Sequence, residues 1–294
     1  MSLQVFDDPA FLETRSSLDA AMKVNTAAGV SLTKKQAKPV PLSTETRLWE
    51  RQYLGRDNPR KLTRTLIYLI GVNCGLRGGK ELRNLKWGEN AQLTLTRREG
   101  DDVLEYREDI SKTYKGGLHE HHVVPKTVTV FKSDDPSKCL VNLFIFYSSL
   151  RPVNDTTNAF FLQPHPKPTA TTWFVNQPLG HNSLTATIRN MMEAAGEDDQ
   201  YSNQSCRKTT VTRIMNATGN KEMAKKVTGH RSDCVLTYND YSTNMQKVTS
   251  NILTNSNVNL ANKNEQNQPT DVPAASDKIV IKCPSGIIIE VPYR

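Results

Sequence analysis

The chain has 294 residues, with 38 Lys and Arg against 30 Asp and Glu and a formal charge of +8. That length supports a sizeable core in one or two domains, and the basic balance points toward a polyanionic partner. The most apolar stretch, Leu66 to Val72, is too short to cross a bilayer, and Asp7, Asp8 and Glu13 interrupt any secretory pattern. The five cysteines are scattered without a Cys-x-x-Cys pair, which argues against a disulfide framework or a zinc ribbon, so the expectation is an intracellular protein with reduced thiols.

In chain order, residues 1–42 lack dense apolar periodicity, and Ser31 to Pro41, with Lys34, Lys35, Lys38 and two prolines, reads as a flexible basic lead-in. The fold is expected to start at Ser43, which can cap a helix running through Trp49. A second helix is predicted from Pro59, carrying Leu62, Leu66, Leu69 and Ile70 at helical spacing and breaking at Gly75. Alternation then takes over in Leu93 and Leu95, in Val103 to Ile110 and in Val123 to Phe131, with Gly100 and Gly116-Gly117 as turn signals, which predicts three antiparallel strands.

The helical period returns in Leu140 to Leu150 and in Leu184 to Ala195, where Gly196 is a natural stop, and a loop rich in Pro, Asn and Thr is expected between those helices. Ser205 to Leu253 reads as short helices punctuated by Gly219 and Gly229. The fold class expected is therefore mainly α with a small antiparallel β-sheet (α+β) over residues 43–254, followed by a polar linker at 255–277 that is expected to be disordered and a β-hairpin tail at 278–294.

Three segments carry chemistry. In Gly75-Leu76-Arg77-Gly78-Gly79-Lys80-Glu81 a helix ends in a glycine-rich turn and another begins at once, so Arg77 is expected beside free backbone amides in a natural phosphate pocket. A nucleotide-binding P-loop is rejected, because Cys74 and Glu81 occupy positions where that motif needs Gly and Ser or Thr. Gln204 lies three residues before Arg207 at the start of a helix, and Gly229-His230-Arg231-Ser232 precedes two candidate phenols, Tyr238 and Tyr241.

The ordered set Arg77, Lys112 within Ser111-Lys112-Thr113 beside Gly116-Gly117, Arg207, His230 and a following tyrosine resembles the tyrosine recombinases, which include phage integrases. Its wording is most similar to the eukaryotic Crypton branch and its domesticated relatives, such as the C-terminal domains of MYM-type zinc finger proteins, over roughly residues 40–254. The resemblance implies a recombinase catalytic-domain fold in which Arg77 and Arg207 clamp a scissile phosphate of double-stranded DNA. It further implies that Lys112, or Lys115 nearby, protonates the leaving 5′ oxygen and that His230 donates to the phosphate. The tyrosine then attacks to give a 3′-phosphotyrosyl link, which needs no metal or other cofactor.

Two positions depart from the pattern. Gln204 stands where the family has a histidine that helps remove the phenol proton, and an amide cannot act as a base. The usual nucleophile position is Asn239, flanked by Tyr238 and Tyr241; the context Asn239-Asp240-Tyr241-Ser242-Thr243 favours Tyr241. DNA cleavage and rejoining is thus the first expectation, and a domesticated DNA-binding or chromatin-associated module is the alternative. A nuclear location, several copies on one DNA and no membrane association go with both.

His119, His121 and His122 are expected as solvent-exposed hairpin residues rather than metal ligands, Cys206 and Cys234 as small buried thiols, and Trp49, Trp87 and Trp173 as packing residues.

Overall fold

The central helix begins where its sequence says it should. In the computed structural model, which describes residues 6–30, 36–109, 124–197, 200–238, 278–282 and 288–292, the Asn58 carboxamide oxygen accepts from the Lys61 amide at 2.9 Å, and Pro59 occupies the first helical position. From there α3 (Pro59–Asn73) buries Leu62, Leu66, Ile67, Tyr68 and Ile70. A helix apolar on nearly every side can only be an axis of the core. Around it pack α5 (Leu140–Ser149), α6 (His181–Ala194) and α7 (Asn203–Thr218).

Ahead of α3 come α1 (Leu12–Ala27), which has no buried residue, and α2 (Leu42–Glu50), which buries Thr44 and Leu48. The expected Ser43 cap is not used: Pro41 holds the cap position, and Ser43 lies inside the first turn.

The three expected strands form one antiparallel sheet in the order β1 (Leu93–Arg98), β2 (Asp101–Arg107), β3 (Thr127–Val130). Glu99 and Gly100 both have positive φ, 52° and 95°, which is the two-residue hairpin turn whose twist matches the flanking strands. β3 is shorter than expected, and Phe131 lies past its end and is exposed. Lys112, Lys115, Gly116-Gly117 and the three expected hairpin histidines lie outside the described residues.

The segment read as a loop between α5 and α6 holds a second antiparallel pair, β4 (Leu162–Pro164) and β5 (Phe174–Pro178), with a bulge at Leu162/Gln163. Strands of three and five residues bounded by proline carry no alternation to read. Tertiary bonds set them instead: the Tyr147 hydroxyl donates to the Phe160 carbonyl at 2.6 Å and accepts from the Leu162 amide at 3.1 Å. Trp87, Phe144, Tyr147 and Phe160 form an aromatic cluster there, over which the buried Arg151 guanidinium lies 4.2 Å from the Trp87 ring centre. The expected packing role of the tryptophans holds, since Trp49, Trp87 and Trp173 all lie against the core.

A short α4 (Lys80–Arg83) precedes β1, and α8 (Lys221–Thr228) follows α7, each of α7 and α8 ending at a left-handed glycine, Gly219 and Gly229. Compact units divide the chain at Met1–Met245 and Gln246–Arg294. In the second, β6 (Lys278–Lys282) pairs antiparallel with β7 (Ile288–Pro292), placing Ile281 opposite Ile289. Among the described residues no helix is long and apolar enough to cross a membrane.

Candidate active site

The glycine turn after α3 is clamped between two helices distant in sequence. A β-carbon on Gly75 would sit 2.9 Å from Thr228 Cγ2, and one on Gly78 would sit 2.2 Å from Asn203 Cβ. Both glycines also have positive φ, 57° and 79°, so the turn needs glycine twice over. This close approach brings the end of α8 and the start of α7 onto the turn.

Arg207 projects from α7 into that junction and is 1% exposed. One arm of its fork, Nη1, donates to the Gly75 carbonyl at 2.7 Å; the other, Nη2, lies 3.3 Å from His230 Nε2. On the far side of the imidazole, Nδ1 is 2.7 Å from Thr228 Oγ1, whose own proton goes to the Ala224 carbonyl at 2.5 Å. Thr228 Oγ1 is therefore the acceptor, the ring proton sits on Nδ1, and Nε2 presents its lone pair to Arg207. Burial and the neighbouring Arg207, Arg77 and Lys126 charges push His230 down to about 3, so the ring is neutral at ordinary pH. Donating to a phosphate through Nε2 requires a second proton.

A residue the sequence reading passed over completes the group. Lys126, immediately before β3, is buried; its ammonium donates to the Cys74 carbonyl at 2.8 Å and lies 5.0 Å over the Tyr106 ring. Burial, then the Arg207 charge, push it down to about 8. The signal was present in the strand parity, because Lys126 shares its register with Val128 and Val130, the face turned to the sheet's packed side. A lysine on that face is held in a low dielectric.

Arg77 approaches the same junction from the turn, close enough for its charge to act on His230. Its surroundings differ from expectation. The Arg77 amide is not free: it donates to Glu81 Oε2 at 2.8 Å, while Nη1 donates to Glu81 Oε1 at 3.0 Å. With α4 only four residues long, side chains rather than a helix dipole make this pocket. Glu81 fixes the guanidinium and leaves it 23% exposed.

Beside these groups opens a cavity of about 340 Å³ whose lining includes Lys126, Lys225, Lys226, His230 and Arg231, with Glu108 as the one acidic member among the described residues. Gln204 shares α7 with Arg207, but its side chain is exposed on the first turn. Lys112 and Tyr241 lie outside the described residues; Tyr238 ends a 3-10 helix that starts at Asp233. Cys206 is buried and its thiol is pushed up to about 12, whereas Cys234, expected to be buried, is exposed. Among the described residues no group of His, Cys, Asp and Glu could hold a metal ion.

Two outcomes follow from the imidazole's setting. Since its folded pKa lies below the ordinary 6.5, the unfolded chain takes up the proton first as pH falls. The stability it contributes is complete above 6.5 and is lost toward about 3, amounting to about 2 kcal/mol at around pH 5. Urea unfolding of wild type and His230→Gln across this range should show a smaller loss of stability in the variant, the difference being about 2 kcal/mol at around pH 5. Replacing Thr228 with valine should leave Nδ1–H without an acceptor, cost about 1–2 kcal/mol and mix the ring tautomers seen in ¹⁵N spectra, with Thr228→Ser restoring both.

A protein-family profile described as "Domain of unknown function (DUF3504)" matches residues 39–193, more than half of the chain, spanning Arg77 and Lys126 but stopping short of Arg207 and His230. No curated protein matches the sequence. Among solved structures, the chain is similar to the XerH site-specific recombinase bound to difH substrate in a pre-cleavage complex, at 16% identity over 76% of this chain and 56% of that one, TM-score 0.46. It is also similar to XerA recombinase, at 16% identity over 78% and 71% with TM-score 0.45, and to a lambda integrase dimer bound to a COC′ core site, at 14% over 77% and 57% with TM-score 0.41. The chain thus spans just over half the length of the XerH chain. By the match over α2 to α6, the chain belongs to the family described as Domain of unknown function (DUF3504).

Proposed function

We propose that this chain binds double-stranded DNA and cleaves and rejoins one strand through a 3′-phosphotyrosyl link, as a tyrosine recombinase of the Crypton type acting in the nucleus, with several copies on one DNA. The observation that carries the reading is the convergence of Arg77, Lys126, Arg207 and His230 on one junction from four separate segments. Forked guanidiniums match phosphate oxygens and stabilise charge that builds up at a pentacoordinate phosphorus.

In this reading Arg207 and Arg77 hold the phosphodiester, and the Tyr241 oxygen attacks phosphorus as its phenol proton is released to water. The 5′ oxygen leaves with a proton from Lys126, the buried ammonium near neutrality that takes the part expected of Lys112. Rejoining runs the same steps backward, so the phosphoester bond energy is kept in the phosphotyrosyl link.

The test is incubation of the full chain with nicked suicide duplexes and a denaturing gel. A protein–DNA adduct that disappears in Tyr241→Phe is the expected result. If the duplex is bound and no adduct forms, strand cleavage is excluded.

One observation favours a second reading, a domesticated DNA-binding or chromatin-associated module. Gln204 is a surface amide with no basic lone pair to take the phenol proton, and general-base help is worth about 10²–10⁴-fold. Salt-sensitive duplex binding that Arg77→Ala weakens, without any adduct, is its signature.

A further inference from the structure

The opposite end of α3 carries charge that the described fold does not neutralise. Arg60 and Arg64 stand one helical turn apart and, with Thr63, Gln163, Ser183 and Thr187, line a cavity of about 300 Å³ between α3, β4 and α6. Arg64 is half-buried, and its guanidinium lies 5.9 Å from the Tyr53 ring centre. Its Nε is shut off from solvent and has no hydrogen-bond partner. No hydrogen bond or ion pair joins either arginine to a described residue.

The carboxylate whose charge acts on Arg64, Asp57, is already bonded to the Lys61 ammonium at 2.8 Å. Burial pushes Arg64 below the ordinary guanidinium range, as expected where a charge is desolvated without a paired anion. Like charges at i and i+4 also repel. The Arg64 side chain as a whole stays partly exposed, and the cavity it lines has no acidic residue among its described lining residues, so its charge meets no anion of the chain there.

We infer that this cavity is a second anion site, separate from the candidate active site, which takes the phosphate group of a nucleotide unit. Residues that carry donors line it from three elements: Arg60 and Arg64 of α3, Gln163 of β4 and Ser183 of α6. Donors arranged around a space suit a tetrahedral anion better than the flat fork of a carboxylate. The volume exceeds what a phosphate alone needs, and Pro164 and Leu179 supply an apolar wall against which a sugar can rest. Arg64 precedes Cys74, at the active-site end of α3, by about 15 Å of helix rise. The phosphate can belong to a DNA backbone running past the fold or to a free phosphate ester, and the site stands whether or not the chain cleaves DNA.

The experiment follows the Arg64 Nε–Hε signal of the ¹⁵N-labelled full chain, assigned by its loss in Arg64→Met, which keeps the apolar stem over Tyr53. Inorganic phosphate, a nucleoside monophosphate and a short duplex are titrated in turn, and the salt dependence of duplex binding is measured for wild type and Arg64→Met. The expected result is a saturable shift of that signal, weakened several-fold by Arg60→Ala at an exposed position.

If the ligand is a DNA backbone, the duplex shifts the signal and the slope of log affinity against log salt falls by about 0.9 in Arg64→Met, the loss of one phosphate contact. If it is a free ester, the monophosphate shifts the signal while that slope is unchanged. No shift with any of the three, together with an unchanged slope, overturns the inference. Arg77→Ala separates the two sites: it should leave the response of the Arg64 signal to phosphate intact, and a chain that binds no duplex at all still answers through the phosphate titrations.

Discussion

Replacing Lys126 with methionine is expected to make the protein more stable and to remove strand cleavage. An ammonium held down to about 8 against its ordinary 10.5 is one whose burial costs free energy at any pH below that lower value. Methionine has a similar length and no charge. The variant gives up the bond to the Cys74 carbonyl, worth about 1 kcal/mol, and escapes a larger desolvation cost, so the net gain should be on the order of 1–2 kcal/mol. In the proposed reaction the same change takes away the proton for the leaving oxygen, a loss of about 10²–10⁴-fold in rate.

Stability and activity moving in opposite directions is the signature of a residue retained for chemistry. Urea unfolding and the rate of adduct formation on suicide duplexes read the two separately. A Lys126→Met chain that is less stable, or that cleaves normally, would assign the residue a structural role and return the acid's part to Lys112.

Arg151→Met should have the opposite outcome, a loss of about 3–5 kcal/mol. The Arg151 and Asp155 side chains are 4% and 9% exposed, and the guanidinium spends its donors on Asp155, on the Phe160 carbonyl at 2.6 Å and on the Ala159 carbonyl at 2.9 Å. Removing it strands the Asp155 carboxylate away from water, takes the side-chain donor from the Ala159 carbonyl and leaves the Phe160 carbonyl with the Tyr147 hydroxyl, in the segment that leads into β4. Asp155 keeps its bonds from Thr157, which hold its pKa down together with Arg151 and keep it charged. The urea midpoint should fall without a change in slope, and the double variant Arg151→Met with Asp155→Asn should recover part of the loss. If the single variant unfolds like wild type, this buried pair does not organise the β4–β5 segment.

Arg151 and Arg207 show how differently two buried arginines can read in sequence. Arg207 was legible because it sits in an ordered series with Arg77 and His230, beside glycines whose conformational need is visible in one dimension. Arg151 follows an apolar helix and precedes a proline, a context in which a solvated charge is the ordinary expectation. Only the fold turns Trp87 and Phe160 toward it. Lys126 lies between these cases: its parity with Val128 and Val130 was readable, but its burial and its contacts with the Cys74 carbonyl and the Tyr106 ring arise only in the folded chain.

The sequence alone determined the elements whose signals are local. Pro59 and the apolar spacing after it start α3, Gly100 marks the turn from β1 into β2, and Gly219 and Gly229 end α7 and α8, because caps, positive φ and side-chain period depend on a few neighbouring residues. It also singled out Arg77, Arg207 and His230 as belonging together. What only the tertiary structure decided is the state of those groups: that Glu81 takes the Arg77 amide, that Thr228 sets the His230 tautomer, that Lys126 joins them, and that Gln204 stays at the surface. Those outcomes depend on burial and on partners up to 132 residues apart, as in the bond from Arg207 to the Gly75 carbonyl. Desolvation and hydrogen bonding across such separations come into being only when the chain closes on itself.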